Sequence, residues 1–346
     1  MNTRKLFCLI ILSIIVSNCD AQKALLDSII RVVKNQSTYT NDVNWNSLIP
    51  QLYESIDVNQ KDSVQAIIPA VEKMFNALGD KHGQLHYLGK AYFGTSRSSA
   101  SSNDYSDLRN AAYNEKYAFR TKVFDKNYGY ISIPAQTPAL TDSSAKDPKR
   151  IMATAIEMAQ TLNDSLCKLT TVNGIKGIIV DLRLNFGGSS VISIEGLSSA
   201  IGKGNILFYA GKSDTSIVSL VNGAFFVDNN LVGKLSLPCK ISNIKIAVIV
   251  GHITGSAGEH TAIAFKGREN TKFFGERTAG YTTTNEEVVF SKDLFLAFSA
   301  GNVLDRNRFS YTNGIDPEIR VIGGDNFADL QKDSKVIMAL KWLKEK

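Results

Sequence analysis

Apolar positions recur at helical spacing in three early stretches. Leu25, Leu26, Ile29, Ile30, Val32 and Val33 form the first. Trp45, Leu48, Leu52 and Ile56 form the second. Val64, Ile67, Ile68, Val71, Met74, Phe75 and Leu78 form the third. They predict three short helices over 23–79 that pack on one another. Gly79-Asp80-Lys81-His82-Gly83 ends that block, and the Ser-rich stretch 95–106 reads as a mobile loop. The texture then changes. Strands are predicted at 128–133, 175–182, 244–250, 272–274, 288–290 and 295–298. Helices are predicted at 150–169, from the Gly-Gly turn to Ile201, at 257–266 and at 328–343. Strands that alternate with helices imply an α/β core with both sheet faces largely covered.

The first sixteen residues have a different character. Arg4 and Lys5 precede an apolar run, Leu6–Val16, too short to span a bilayer of about 30 Å. Polar Ser17, Asn18 and Asp20 follow, then Ala21-Gln22, the pattern of a secretory leader. Two processing routes are open: cleavage after Ala21, or lipidation of Cys19 within Val16-Ser17-Asn18-Cys19, which would attach the chain to a membrane. Either route places the protein in the periplasm or the outer cell envelope. Of four cysteines only Cys167 and Cys239 then lie outside the leader segment, and an oxidising compartment would allow them to pair.

The chain has 346 residues, 44% hydrophobic and 21% charged, which excludes wholesale disorder. Lys+Arg 39 against Asp+Glu 33 gives +6 without a basic stripe, so a nucleic-acid partner is not expected. Neither CxxC nor His/Cys spacing suggests a metal site.

Three segments could carry chemistry. In 246–270 a buried strand runs into a Gly-rich turn and a helix that starts at Ser256. The N–H groups of Ala257 and Gly258 have no intrahelical partner there, and they favour a developing negative charge. A serine so placed can attack a carbonyl while the next N–H steadies the oxyanion. Ser256-x-x-Glu259 is equally the signature of a capping box. In 177–190, Asp181-Leu182-Arg183 ends a strand, and Gly187 or Gly188 could supply a second oxyanion donor or simply turn the chain. His82, between Gly79 and Gly83, is one of four histidines, and a lone loop histidine is commonly structural.

Taken in order, Asp80-x-His82, Asp181-Leu-Arg-x-Asn-x-Gly-Gly188, Gly255-Ser256-Ala-Gly-Glu259, Gly275-Glu-Arg-Thr-Ala-Gly280, Asp305-Arg-Asn307 and Tyr311-x-x-Gly-Ile-Asp-Pro-Glu318 resemble the tail-specific protease (C-terminal processing peptidase) family of serine peptidases. The resemblance covers about residues 40–325. It implies a Clp-protease/crotonase-like α/β core over 122–346, behind a leader (1–21), an N-terminal helical domain (22–80) and a cap or linker (81–121) that carries the histidine. It implies Ser256 as nucleophile, with Ala257 N–H and an N–H from Gly187 or Gly188 as the oxyanion hole, and neither metal nor organic cofactor.

Where family members with a Ser–Lys dyad carry lysine, this chain has Tyr281. The branch similar to tricorn core and nisin-resistance proteases uses histidine instead, and its early D-x-H-like segment matches His82. A third member that orients His82 stays open: Asp305, one of Glu276, Asp316 and Glu318, or no acid at all. The interval between His82 and Tyr128 is too short for the PDZ domain of many relatives. The resemblance implies an exported endopeptidase that acts on peptides or unfolded protein segments laid along a sheet edge. A catalytically decayed peptide binder on the same scaffold is the alternative. A crotonase-type acyl-CoA enzyme conflicts with the leader, because coenzyme A is scarce outside the cytoplasm.

Overall fold

The three apolar stripes fold as helices in a computed structural model that describes residues 3–95, 105–114, 120–138, 147–171, 174–239, 241 and 244–345. The side chains of 3–19, including Cys19, lie outside the described residues, as do 96–104 of the Ser-rich stretch. In chain order, α1 spans Thr3–Gln36, α2 Trp45–Glu54 and α3 Ser63–Leu78, followed by β1 Gln84–Tyr87, β2 Lys90–Phe93 and α4 Ser106–Ala112. Next come β3 Arg120–Phe124, β4 Tyr128–Ser132, α5 Pro148–Thr170, β5 Gly177–Asp181, α6 Ser190–Gly196 and α7 Ser198–Ile201. β6 Gly204–Gly211, β7 Thr215–Val221, β8 Ala224–Val227 and β9 Asn230–Lys234 form a meander. The chain closes with β10 Lys245–Val250, α8 Ala257–Phe265, β11 Thr271–Gly275, β12 Thr283–Ser291, β13 Leu294–Asp305, β14 Ile319–Arg320 and α9 Ser334–Lys344. No described helix is long and apolar enough to cross a membrane.

The chain divides into two units, 1–101 with 283–301, and 102–282 with 302–346. The first unit therefore takes strand residues from the C-terminal half as well as the helical block. Its core joins Leu26, Ile29 and Val33 of α1 to Leu52 of α2, to Ile67, Val71 and Phe75 of α3, and to Leu85, Leu296 and Phe298 of the strands. Caps set the helix ends. Asn44 accepts from the N–H groups of Asn46 and Ser47, and Asp62 from those of Val64 and Gln65. Gly79 at φ +64° ends α3 in the left-handed region that glycine enters freely. That turn delivers Asp80 and His82 directly after the helix. Residues 84–93, expected as part of a cap, are instead the hairpin β1–β2, paired antiparallel with β13 at Gln84–Tyr87.

The second unit is built on a sheet in the order β14-β11-β10-β5-β4-β3. β5 lies parallel to both β10 and β4. Ile178, Val180, Ile246, Val248 and Val250 face Leu162 and Leu166 of α5, Ile194 of α6 and Ile263 of α8. Ile179, Ala247, Ile249 and Phe274 face Val336, Ala339 and Leu343 of α9. Cover on both faces explains why β5 and β10 read as continuous apolar runs rather than alternating ones. The closing helix begins at Ser334, later than the predicted 328, because Asp333 caps it by accepting from the N–H groups of Lys335 and Val336. Cys167 of α5 and Cys239, after β9, form a disulfide.

Candidate active site

β5 and β10 run parallel and end together, and the two motif segments leave from their carboxyl ends. Ligand sites of open α/β sheets lie at such ends. Arg183 locks the first segment. Its buried guanidinium meets Asp181, Asp325 and Asp333. Burial by itself would raise the Asp181 carboxyl, but Arg183 overrides it and holds it below the usual carboxylate range. Asp181 also accepts from Tyr130 Oη at 2.8 Å.

From that anchor the chain turns through Asn185 to the glycine pair. Gly187 N–H donates to Asn185 Oδ1 at 3.2 Å. Gly188 has φ +101°, and a Cβ there would lie 2.1 Å from the Gln136 carbonyl oxygen. Only glycine fits that approach. A Cβ on Gly187 would lie 3.4 Å from Ser256 Cβ, so the glycine turn rests directly against the serine.

The second segment leaves β10 at Val250. Thr254 Oγ1 donates to the Leu182 carbonyl at 2.9 Å, and Gly255 N–H to that of Asn185 at 2.9 Å, so the two turns are tied together. Ser256 follows with φ +50° and ψ −117°. A non-glycine residue in this region is strained, and such strain persists only where the surroundings impose it. Here the surroundings are α8, buried along its whole length, and the glycine turn. Ala257 occupies the first helical position, where its N–H has no intrahelical acceptor.

Glu259 does more than close a capping box. Its buried carboxylate accepts from Ser256 N–H at 3.1 Å, Gly280 N–H at 2.9 Å, Tyr281 N–H at 2.6 Å and the Thr278 hydroxyl. Burial pushes the carboxyl up to about 7 against the pull of these four donors. The serine's backbone is thus pinned to the Gly275–Gly280 motif. The sequence offers Glu259 only as a local cap, because its longer-range partners are mostly backbone N–H groups that any residue carries.

His82 belongs to the first unit and is buried there. Its Nδ1 lies 2.8 Å from Thr283 Oγ1, which lies 2.8 Å from Ser299 Oγ, which donates to Asp80 Oδ1 at 2.7 Å. Asp80 also accepts from the N–H of His82 at 3.0 Å and of Ser299 at 2.9 Å. Burial raises the Asp80 carboxyl above the usual range against these donors. Thr283 and Ser299 are about two hundred positions away from His82 and carry no motif, so sequence reading missed them.

Asp305 ends β13 and has other work. It accepts from the N–H groups of Asn307 and Phe309 at 2.8 and 3.0 Å, and from Tyr311 Oη at 2.7 Å. Both oxygens hold the turn that follows. The remaining carboxylates weighed for orienting His82 are similarly engaged. Glu276 pairs with Lys335 and His252, Glu318 with Lys266, and Asp316 faces Arg277 at 3.8 Å. Among the described residues no cluster of His, Cys, Asp and Glu could hold a metal ion.

Comparison with known proteins gives the geometry a family. Residues 127–321 match the family model described as Peptidase family S41. The nisin-resistance protein of Lactococcus lactis subsp. lactis is 35% identical over 192 residues, 55% of either chain. The chain therefore spans about half the length of this curated relative. A lipoprotein from Streptococcus agalactiae has the same fold, with a TM-score of 0.65 at 21% identity over 94% of this chain and 96% of that one. The photosystem II D1 C-terminal processing protease aligns with a TM-score of 0.57 at 14% identity over 90% of this chain and 96% of that one.

Proposed function

The chain belongs to peptidase family S41, and from that premise we propose that it is a serine-type peptidase, an exported endopeptidase acting through an acyl-enzyme on Ser256. The observation that carries the assignment is the conformation of Ser256 itself. A serine held at φ +50° between a glycine turn and the start of a buried helix is placed as a strained nucleophile would be. Ser256 Oγ attacks the scissile carbonyl. The carbonyl oxygen, now negative, accepts from Ala257 N–H and Gly188 N–H. Gly187 N–H already serves Asn185, which favours Gly188 as the second donor. His82 takes the serine proton and returns it to the leaving amine, after which water hydrolyses the ester by the same route. The matching family motif supports His82 in this role. Of the lysines that precede Tyr281, Lys266 pairs with Glu318 at 2.8 Å and Lys272 lies over the Trp342 ring.

Export accords with the Cys167–Cys239 disulfide, since such bonds persist in oxidising compartments. Peptides and unfolded protein segments are the substrates we propose. No specific observation favours a decayed binder: the serine, the glycine turn and the histidine are all present.

A fluorophosphonate probe tests the nucleophile. Intact mass and peptide mapping should place one adduct on Ser256 in wild type and none in Ser256→Ala. An unmodified wild-type protein, or an adduct elsewhere, would contradict the assignment.

A further inference from the structure

Serine peptidases that use histidine commonly orient it with a carboxylate at Nδ1. Here that nitrogen meets a hydroxyl, and a second hydroxyl separates it from a carboxylate. We propose that Thr283 and Ser299 form a relay that couples the buried charge of Asp80 to His82, so that Asp80 is the positioning acid of this enzyme. The inference rests on His82 being the general base.

The direction of the chain follows from its far end. Ser299 Oγ donates to Asp80 Oδ1, which leaves the Ser299 oxygen to accept from Thr283. Thr283 has then spent its only proton and must accept from His82 Nδ1. This fixes the proton of neutral His82 on Nδ1 and the lone pair on Nε2, the form a general base requires. No proton needs to cross the relay. When His82 gains the serine proton, each hydroxyl dipole already points its negative end at the imidazolium, and the Asp80 charge adds to it.

Several features hold the chain in this state. His82, Thr283, Ser299 and Asp80 are all buried, so water does not compete for these hydrogen bonds. Two backbone N–H groups, of His82 and Ser299, keep Asp80 supplied with donors. The groups acting on Asp80 are burial and donors from Ser299, His82 and Gly83. Tyr39 lies beside Ser299 and Thr283. Its hydroxyl is pushed up to about 12, first by burial and next by the charge of Asp80, with Asp42 adding to it, so it stays neutral through the working range. Asp80-x-His82 thereby acquires a physical reason. Asp80 binds the N–H of His82 directly and reaches its ring through the strands.

The test is a 15N titration of the histidine rings in the purified protein, with His82 assigned by His82→Ala. Wild-type His82 should be the Nδ1–H tautomer. Thr283→Val and Asp80→Asn should each lower its pKa by about one unit, because the neighbouring negative charge is uncoupled or removed. Thr283→Ser keeps the hydroxyl and should restore it. Ser299→Ala breaks the chain at its second link, and supplies the test if Asp80→Asn does not fold. The rate of fluorophosphonate acylation should fall at least about tenfold in Thr283→Val and recover in Thr283→Ser. An Nε2–H tautomer in wild type, or a pKa and acylation rate unmoved by Thr283→Val, would overturn the relay. Failure of His82 as base would show separately, as acylation that survives His82→Ala.

Discussion

Glu195 on α6 is fully buried, and neither carboxylate oxygen has a hydrogen-bond partner among the described residues. Burial alone pushes its carboxyl up to about 7. A folded value above the unfolded one means that the folded state holds the proton more tightly. Stability from this group is therefore full below the unfolded value and is lost as pH rises toward about 7. Glu195→Gln removes the charge, so thermal unfolding at pH 8 should shift upward relative to wild type, with less change at pH 4. An equal shift at both values would show that the Glu195 ionisation is not involved. The contrast with Glu259 is instructive. Both are buried glutamates on short helices beside the glycine turn or the serine, but Glu259 has four donors and Glu195 none.

The placement of α8 depends on a close approach. A Cβ on Gly258 would lie 2.3 Å from the Asn185 carbonyl oxygen, which belongs to the glycine-turn segment. Glycine-to-alanine in a helix ordinarily stabilises by roughly 0.5–1 kcal/mol. Here the sign should reverse, with Gly258→Ala costing about 1–3 kcal/mol in denaturant unfolding and reducing peptidase activity, because the backbone must shift. A stabilised, fully active variant would contradict the packing. The disulfide ties α5 to the end of the meander across a sequence separation of 72. Chain entropy predicts about 4 kcal/mol for a loop of that size, to be read as a lower urea midpoint in Cys167→Ala/Cys239→Ala. An unchanged midpoint would mean that the bond adds nothing. Elements of this kind differ in how far the sequence announces them. β5, β10, α3 and α5 were legible because each is long, periodic or uniformly apolar. The meander β6–β9 was not, since Thr215–Val221 mixes Ser with Ile, Val and Leu and gives no clean alternation. The hairpin β1–β2 was obscured by its exposed Lys90, Ala91 and Phe93.

At the scale of the molecule, the second unit carries the proposed nucleophile and oxyanion donors, and the first carries the proposed base. The placement of Ser256, Ala257 and the glycine pair after β10 and β5 could be read from the chain because the strand–turn–helix pattern constrains it locally. For Asp305 the chain offered only a position, and folding supplies its partners Asn307, Phe309 and Tyr311. The neighbours of His82 lie on β12 and β13, and only folding brings them to it. The most direct test of the whole account is a peptide-library digest read by mass spectrometry, with wild type, Ser256→Ala and His82→Ala side by side. The account predicts cleavage by wild type at a consistent set of bonds, and loss of that cleavage in both variants. Cleavage that persists in Ser256→Ala, or that disappears only in Ser256→Ala and not in His82→Ala, would contradict it.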